Sequence, residues 1–139
     1  MPEPSAQPAS FGARAVAWII DAVPHALVPY ALATATGSVA VGIAGFLVTG
    51  ILWSILPEGR TGMSVGKRLV GIRVVDTRTA GRLGFPRSAV RWVVKYVAGG
   101  VLPVSYLWYF RDPRRRTWHD HAAGTVVSFA ADPASGRPG

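Results

Sequence analysis

Apolar residues fall into three long blocks along the chain, with polar, glycine-rich stretches between and after them. The first block runs from about Ala13 to Ala35 and the second from Ser38 to Leu56. Each reaches the roughly 20 residues a helix needs to cross a bilayer. The second holds neither charge nor proline, whereas the first carries Asp21, Pro24, His25 and Pro29. Only Gly37 and Ser38 stand between them, so an antiparallel helical hairpin is predicted. Gly42, Gly45, Thr49 and Gly50 place small residues along the second helix, where they would let a neighbouring backbone come close. Ala31-Leu32-Ala33 resembles a signal-peptide cleavage site. Asp21 interrupts the apolar run, however, nothing basic precedes Arg14, and a second span follows at once, so cleavage is not expected.

The third block, Ala89 to Phe110, carries Arg91 and Lys95 in its first turns and Gly99-Gly100 and Pro103 in its middle. Proline removes a backbone donor and paired glycines weaken a helix. Both flanks are basic: residues 57–96 hold nine positive and two negative charges, and residues 111–121 hold four and two. The positive-inside rule wants both flanks on the cytoplasmic side, which one straight span cannot provide. A broken, re-entrant hairpin resolves this, and a true span that violates the rule is the alternative. In the hairpin, Pro86–Val97 is an amphipathic interfacial helix with Arg87, Arg91 and Lys95 on one side. Gly99–Pro103 forms the tip, and Val104–Phe110 returns as an arm of about 10 Å, too short to span alone.

Between the second and third blocks, Gly59, Gly62 and Gly66 punctuate a loop. Leu69–Asp76 then reads as a strand rich in β-branched residues. Thr77–Gly84 reads as a turn, Leu83-Gly84-Phe85 as a returning segment, and Gly124–Phe129 as a second strand. The fold class is therefore an all-α membrane protein: a transmembrane hairpin, a third broken or re-entrant apolar helix, and a small cytoplasmic β-element. Residues 1–10 and 130–139 are expected to be disordered, leaving residues 11–129 as the membrane domain.

Composition sharpens this picture. The chain has 139 residues, enough for one domain. Half of them are hydrophobic, 16% are charged and none is cysteine, which excludes disorder and disulfide or thiolate-metal scaffolds. Charge is segregated: residues 14–56 hold only Arg14 and Asp21, and residues 97–110 hold none. The formal net charge of +8 invites a nucleic-acid reading. The basic residues flank membrane segments instead, where they set topology and meet anionic lipid headgroups. Trp92, Tyr106, Trp108, Tyr109 and Trp118 fit an interfacial belt. Nucleic acid is not an expected partner. Gly66-Lys67 is not a phosphate-binding loop, because position 61 is Thr and position 68 is Arg. No catalytic constellation is present, so neither an enzyme nor a cofactor is predicted.

The chemistry lies in a polar stripe. Steps of seven and four residues put Arg14, Asp21 and His25 on one helix face. Arg14 and Asp21 are about 10 Å apart along the axis, too far for a direct salt bridge, so each needs a partner from elsewhere. An ionised Asp within a bilayer costs about 2.5–3.5 kcal/mol, and Pro24 frees the Ile20 carbonyl beside it. This suggests a proton or cation site. The plainer alternative pairs Asp21 with Arg91, Lys95 or an arginine of the Arg114-Arg115-Arg116 cluster. That cluster otherwise meets lipid phosphates. His119 and His121 could ligate a metal, but a surface position without metal is the expectation.

Three motifs carry a resemblance: Phe11-Gly12-Ala13-Arg14 with Asp21 following, the loop Gly62-Met63-Ser64-Val65-Gly66-Lys67-Arg68 leading to Val75, and Asp112-Pro113-Arg114-Arg115-Arg116-Thr117-Trp118-His119-Asp120-His121 leading to Val127. Together they resemble the RDD family of small prokaryotic integral membrane proteins, over about residues 11–128. The resemblance makes Arg14, Asp21 and Asp120 the family's arginine and two aspartates. It implies a multi-pass protein of the prokaryotic plasma membrane that contributes to transport of an unknown small ligand or of cations and protons. His25, Lys67, Arg91, Lys95 and Arg116 are possible supporting residues. A homo-oligomer would supply walls that one small protomer lacks. The alternative is a non-transporting accessory protein that binds a membrane partner or anionic lipid. Arg14 and Asp120 are expected to pair at the inner interface, with a charge swap partly restoring stability.

Overall fold

A computed structural model describes residues 7–79, 81–97 and 104–130. Helix α1 (Phe11–Thr36) begins where the Ser10 hydroxyl accepts the Ala13 amide at 3.2 Å, and it runs through both prolines. Gly37, at φ 65°, ends it in the left-handed conformation that a side chain would strain. Helix α2 (Val39–Thr49) passes without interruption through a π-helical stretch, Gly50–Ile55, into α3 (Leu56–Thr61). The second rod therefore outlasts the apolar block by five residues. The widened turn sits where the Pro57 ring would otherwise meet the carbonyl four residues earlier.

Both rods, Phe11–Thr36 and Val39–Thr61, are long and apolar enough to cross a membrane, and in their most apolar windows only 17% and 22% of residues are buried. A core helix of a water-soluble domain would be mostly covered. Here Leu27, Tyr30, Ile43 and Leu52 stand in the open. The small-residue stripe of the second rod is spent on contacts within this chain. A Cβ at Gly42 would lie 2.9 Å from the Pro29 carbonyl and the Ala33 methyl, and one at Gly50 would strike the Trp92 ring.

The predicted loop after the second rod is largely helical. Ser64 caps α4 (Val65–Val70), and Gly71, at φ 75°, ends it. Strand β1 (Ile72–Asp76) is thus shorter than the predicted Leu69–Asp76, because a capping serine and a left-handed glycine bracket a turn of helix that contains the good helix formers Lys67, Arg68 and Leu69. β1 pairs antiparallel with β2 (Thr125–Phe129), from Ile72 opposite Phe129 to Asp76 opposite Thr125. The segment Leu83–Phe85 does not return as a strand. Leu83 drops into the small core with Ala9, Ala17, Ile72, Val74 and Val127, and Phe85 opens α5 (Phe85–Val97). Residues 7–10 are ordered, contrary to expectation: Pro8 bridges Ser128, and the Ala9 amide donates to the Val127 carbonyl at 2.9 Å. The rest of both predicted tails lies outside the described residues, apart from Ala130, whose amide donates to Gly71.

In the third apolar block the described residues form α5 and α6 (Val104–Arg111), and the predicted tip at Gly99–Pro103 lies outside the described residues. Arg87, Arg91 and Lys95 share one side of α5 as predicted, but that side turns inward, with Arg91 only 3% exposed. Helix α7 (Trp118–Ala123) then leads into β2.

Candidate functional site

Five charged side chains from five helices alternate in sign through the interior. Lys67 of α4 pairs with Glu58 of α3, and Glu58 accepts from Arg91 Nε of α5 at 2.7 Å. Arg91 Nη1 pairs with one oxygen of Asp120 in α7, and Arg14 of α1 pairs with the other. All five are buried. Removing such charges from water is costly, and only close pairing together with hydrogen bonds to the remaining polar atoms offsets it. Those bonds are present. Arg14 also donates to the Arg115 carbonyl (3.1 Å) and to Thr117 Oγ1 (3.4 Å), and Arg91 donates to Thr125 Oγ1 at 2.7 Å. The Thr117 amide donates to Asp120 at 3.0 Å, closing a capping box at the start of α7. Burial alone would push Asp120 up, but Arg14 and Arg91 hold it well below the usual carboxylate range.

Asp21 is built differently. Its carboxylate accepts the Trp53 indole N–H at 3.1 Å, the Gly66 amide at 2.8 Å and the Ser64 hydroxyl at 2.5 Å. All three donors are neutral, and among the described residues Asp21 forms no ion pair within 4 Å; the pairing with Arg91, Lys95 or the 114–116 arginines is not made. The Gly66 amide reaches it because a Cβ at that position would collide with the Ala17 carbonyl of α1. One turn further on, His25 Nδ1 sits 2.7 Å from the Asp21 carbonyl, and Nε2 accepts the Trp92 indole N–H at 3.1 Å. An acceptor at Nε2 leaves Nδ1 as the donor, which is the neutral tautomer. Tyr96 stacks on the imidazole with centroids 4.8 Å apart, and Phe46 meets it edge-on.

Two small cavities lie between these centres. One, of about 10 Å³, is lined by Asp21, Ser54, Lys95 and His119 among others. The second, of about 20 Å³, is bordered by Arg14, Asp21, Lys95 and His119. Each has room for about one water. Ser54, in the π-helical stretch, is 7% exposed and its hydroxyl has no hydrogen-bond partner among the described residues. Lys95 is part-buried, and burial pulls its ammonium down to about 8. His119 was expected at the surface and is instead buried beside Thr117, with burial, Arg91 and Arg14 holding it well below its ordinary value.

The structure therefore joins Arg14, Asp120, Arg91 and Lys67 in one network and places Asp21 and His25 in a neighbouring one. Arg116 belongs to neither: it pairs with Asp112 at 3.3 Å, where His121 also lies at 2.5 Å. Arg91 lies against the same carboxylate, so an arginine at position 120 would face it directly, which argues against recovery in the expected charge swap. Glu58 and the donors Trp53 and Ser64 were missed. Glu58 had a signal, as the only acid between Asp21 and Asp76. Among the described residues, no group of three or more His, Asp or Glu stands together as a metal site.

Two lipid-length helices with most of their apolar side chains uncovered, held at one end by a buried charge chain, define a membrane protein. The sequence model of the RDD family matches residues 8–124, and the chain belongs to that family. It is also similar to the Proline-rich antigen of Mycobacterium leprae (strain TN), 30% identical over 95 residues that make up 67% of this chain and 38% of that protein. The chain thus spans well under half the length of this curated relative. No solved structure matches it.

Proposed function

We propose that this RDD-family protein is a non-conducting membrane module that assembles with further transmembrane helices, either those of a second copy or those of a partner membrane protein. The observation that carries this is where the polar network stops. Beyond His25 the hairpin holds no charged residue until Glu58, so Ala26–Thr36, about 16 Å of helix, offers an ion nothing to bind. The two threonine hydroxyls there bond their own helix: Thr34 donates to the Tyr30 carbonyl and Thr36 to the Leu32 carbonyl. The cavities beside Asp21 admit about one water each, which leaves no passage for a larger solute. The same outer half exposes Ile43, Leu47 and Leu27, a surface suited to packing against other helices.

Cysteines introduced at Ile43 and Leu47 should cross-link in the native membrane. In vesicles carrying the purified protein, an imposed pH gradient should decay no faster than in protein-free vesicles. A second reading, proton transfer, is favoured by the unpartnered Ser54 hydroxyl in the π-helical stretch, a feature frequent at functional sites. Faster decay in the wild type that is lost in Asp21→Asn, with the folded fraction unchanged, would replace the first reading by the second.

A further inference from the structure

We infer that the cleft between the α3–α4 turn and strand β1 binds a phosphate group, gripped by Arg73 and Arg82. The cleft has a volume of about 270 Å³ and is lined by Thr61, Met63, Arg73, Gly81 and Arg82 among others. That is near the lower end of the size range of small-molecule sites. It is large enough for a headgroup and far larger than the water-sized spaces beside Asp21.

Three observations point to an anion, and to phosphate in particular. First, the local charge is uncompensated. All five acidic residues among the described residues are buried, and four of them are held in ion pairs: Glu58 by Lys67 and Arg91, Asp76 by Arg87, Asp112 by Arg116, and Asp120 by Arg14 and Arg91. None is left for Arg60, Arg68, Arg73, Arg78 or Arg82, and none of these five makes an ion pair within 4 Å among the described residues. Second, the recognising groups are the guanidinium forks of Arg73 and Arg82; the Thr61 hydroxyl in the wall already donates to the Pro57 carbonyl at 2.7 Å. Forks match the paired oxygens of a phosphate, where an ammonium acts only as a point charge. Third, the cleft opens at the end of a membrane-length helix. The rod Val39–Thr61 has 23 residues, about 34 Å against a hydrocarbon core of about 30 Å, so Thr61 emerges at the depth of lipid phosphates. The walls are also fixed: the Val74 amide donates to the Gly62 carbonyl at 2.8 Å, which ties β1 to the turn.

A phosphate at this place comes either from an anionic lipid headgroup or from a soluble phosphate compound, and one experiment separates the two. Native mass spectrometry of the full chain released from detergent would count retained phosphatidylglycerol against phosphatidylcholine. Inorganic phosphate at millimolar concentration would serve as the soluble competitor. Preferential retention of phosphatidylglycerol that falls at least tenfold in Arg73→Gln/Arg82→Gln, and not in Arg78→Gln outside the cleft, is the expected result. Arg73→Lys/Arg82→Lys keeps the charge and guards against misfolding, and it should lose most of the retention because the forks are gone. Displacement by inorganic phosphate assigns the site to the soluble source, and resistance to displacement assigns it to lipid. Equal retention of the two lipids with no binding of inorganic phosphate, or full retention in the Gln pair, overturns the inference.

Discussion

Asp21 and Asp120 are both fully buried carboxylates, and the protein satisfies them in opposite ways. Asp120 is clamped by two guanidiniums, one on each oxygen. Asp21 is held by an indole, a hydroxyl and a backbone amide. The ionic arrangement depends on the charge of every member, because removing one leaves its partners buried and unpaired. The dipolar arrangement depends on shape, because neutral donors can be met by any acceptor of the right size. One centre is therefore sensitive to the chemical identity of its residues, the other to the closeness of its helices.

Asp120→Asn should show the larger effect. It leaves Arg14 and Arg91 without their shared anion and should cost about 3–5 kcal/mol, read as a fall in thermal unfolding temperature in detergent. The double swap Arg14→Asp/Asp120→Arg should be no better than either single change. Recovery there would show that Arg91 is not the second clamp. Next comes Gly66→Ala, whose methyl would force α4 away from α1 and should cost about 1–3 kcal/mol. Trp53 fluorescence would report the loosened contact with Asp21.

Lys95 borders both cavities, and its pH dependence tests whether the two centres share an environment. Its folded value near 8 lies below its ordinary 10.5, so the unfolded chain binds the proton more tightly between those limits. Stability should rise as pH climbs from 8 to 10.5, by on the order of 1 kcal/mol once the water that still reaches the side chain is allowed for. Lys95→Met should flatten that slope. A slope unchanged in Lys95→Met would assign it to another group.

The smallest effect should be that of Asp21→Asn. An asparagine can accept from Trp53 and Gly66 through its oxygen and donate to the Ser64 oxygen through its nitrogen, keeping all three bonds. Its cost should stay below about 1 kcal/mol, while Asp21→Ala, which strands three donors, should cost several times more. Equal losses for Asn and Ala would mean that the negative charge itself is required.

The sequence made the ionic centre far more legible than the dipolar one. Arg14 and Asp120 are rare charges next to apolar blocks, and the resemblance to a family named for them singled them out. The hairpin was visible because hydropathy over 20 residues is a strong signal. Asp21's partners were hidden for physical reasons: a backbone amide carries no side-chain signature, and Trp53 faces Asp21 from within a π-helical stretch that 3.6-residue periodicity does not describe. The inward turn of Arg91 was hidden too, because an amphipathic helix with its charges on one side looks the same whether that side meets water or a buried acid. The ordered stretch at residues 7–10 escaped because a single edge pairing leaves no alternation to read.

The distance along the chain between Arg14 and Asp120, 106 positions, matters during synthesis. At roughly 5–20 residues per second, the first helix is complete for about 4–17 seconds before its main counter-ion is made. Throughout that interval a cation near the start of a membrane helix lacks the carboxylate it pairs with in the folded chain. A chain that stops short of α7 would hold Arg14 without its counter-ion and leave Arg91 with Glu58 alone, and so would be marked as unfinished by its own electrostatics. The last helix to be made thus acts as a completion signal for the first.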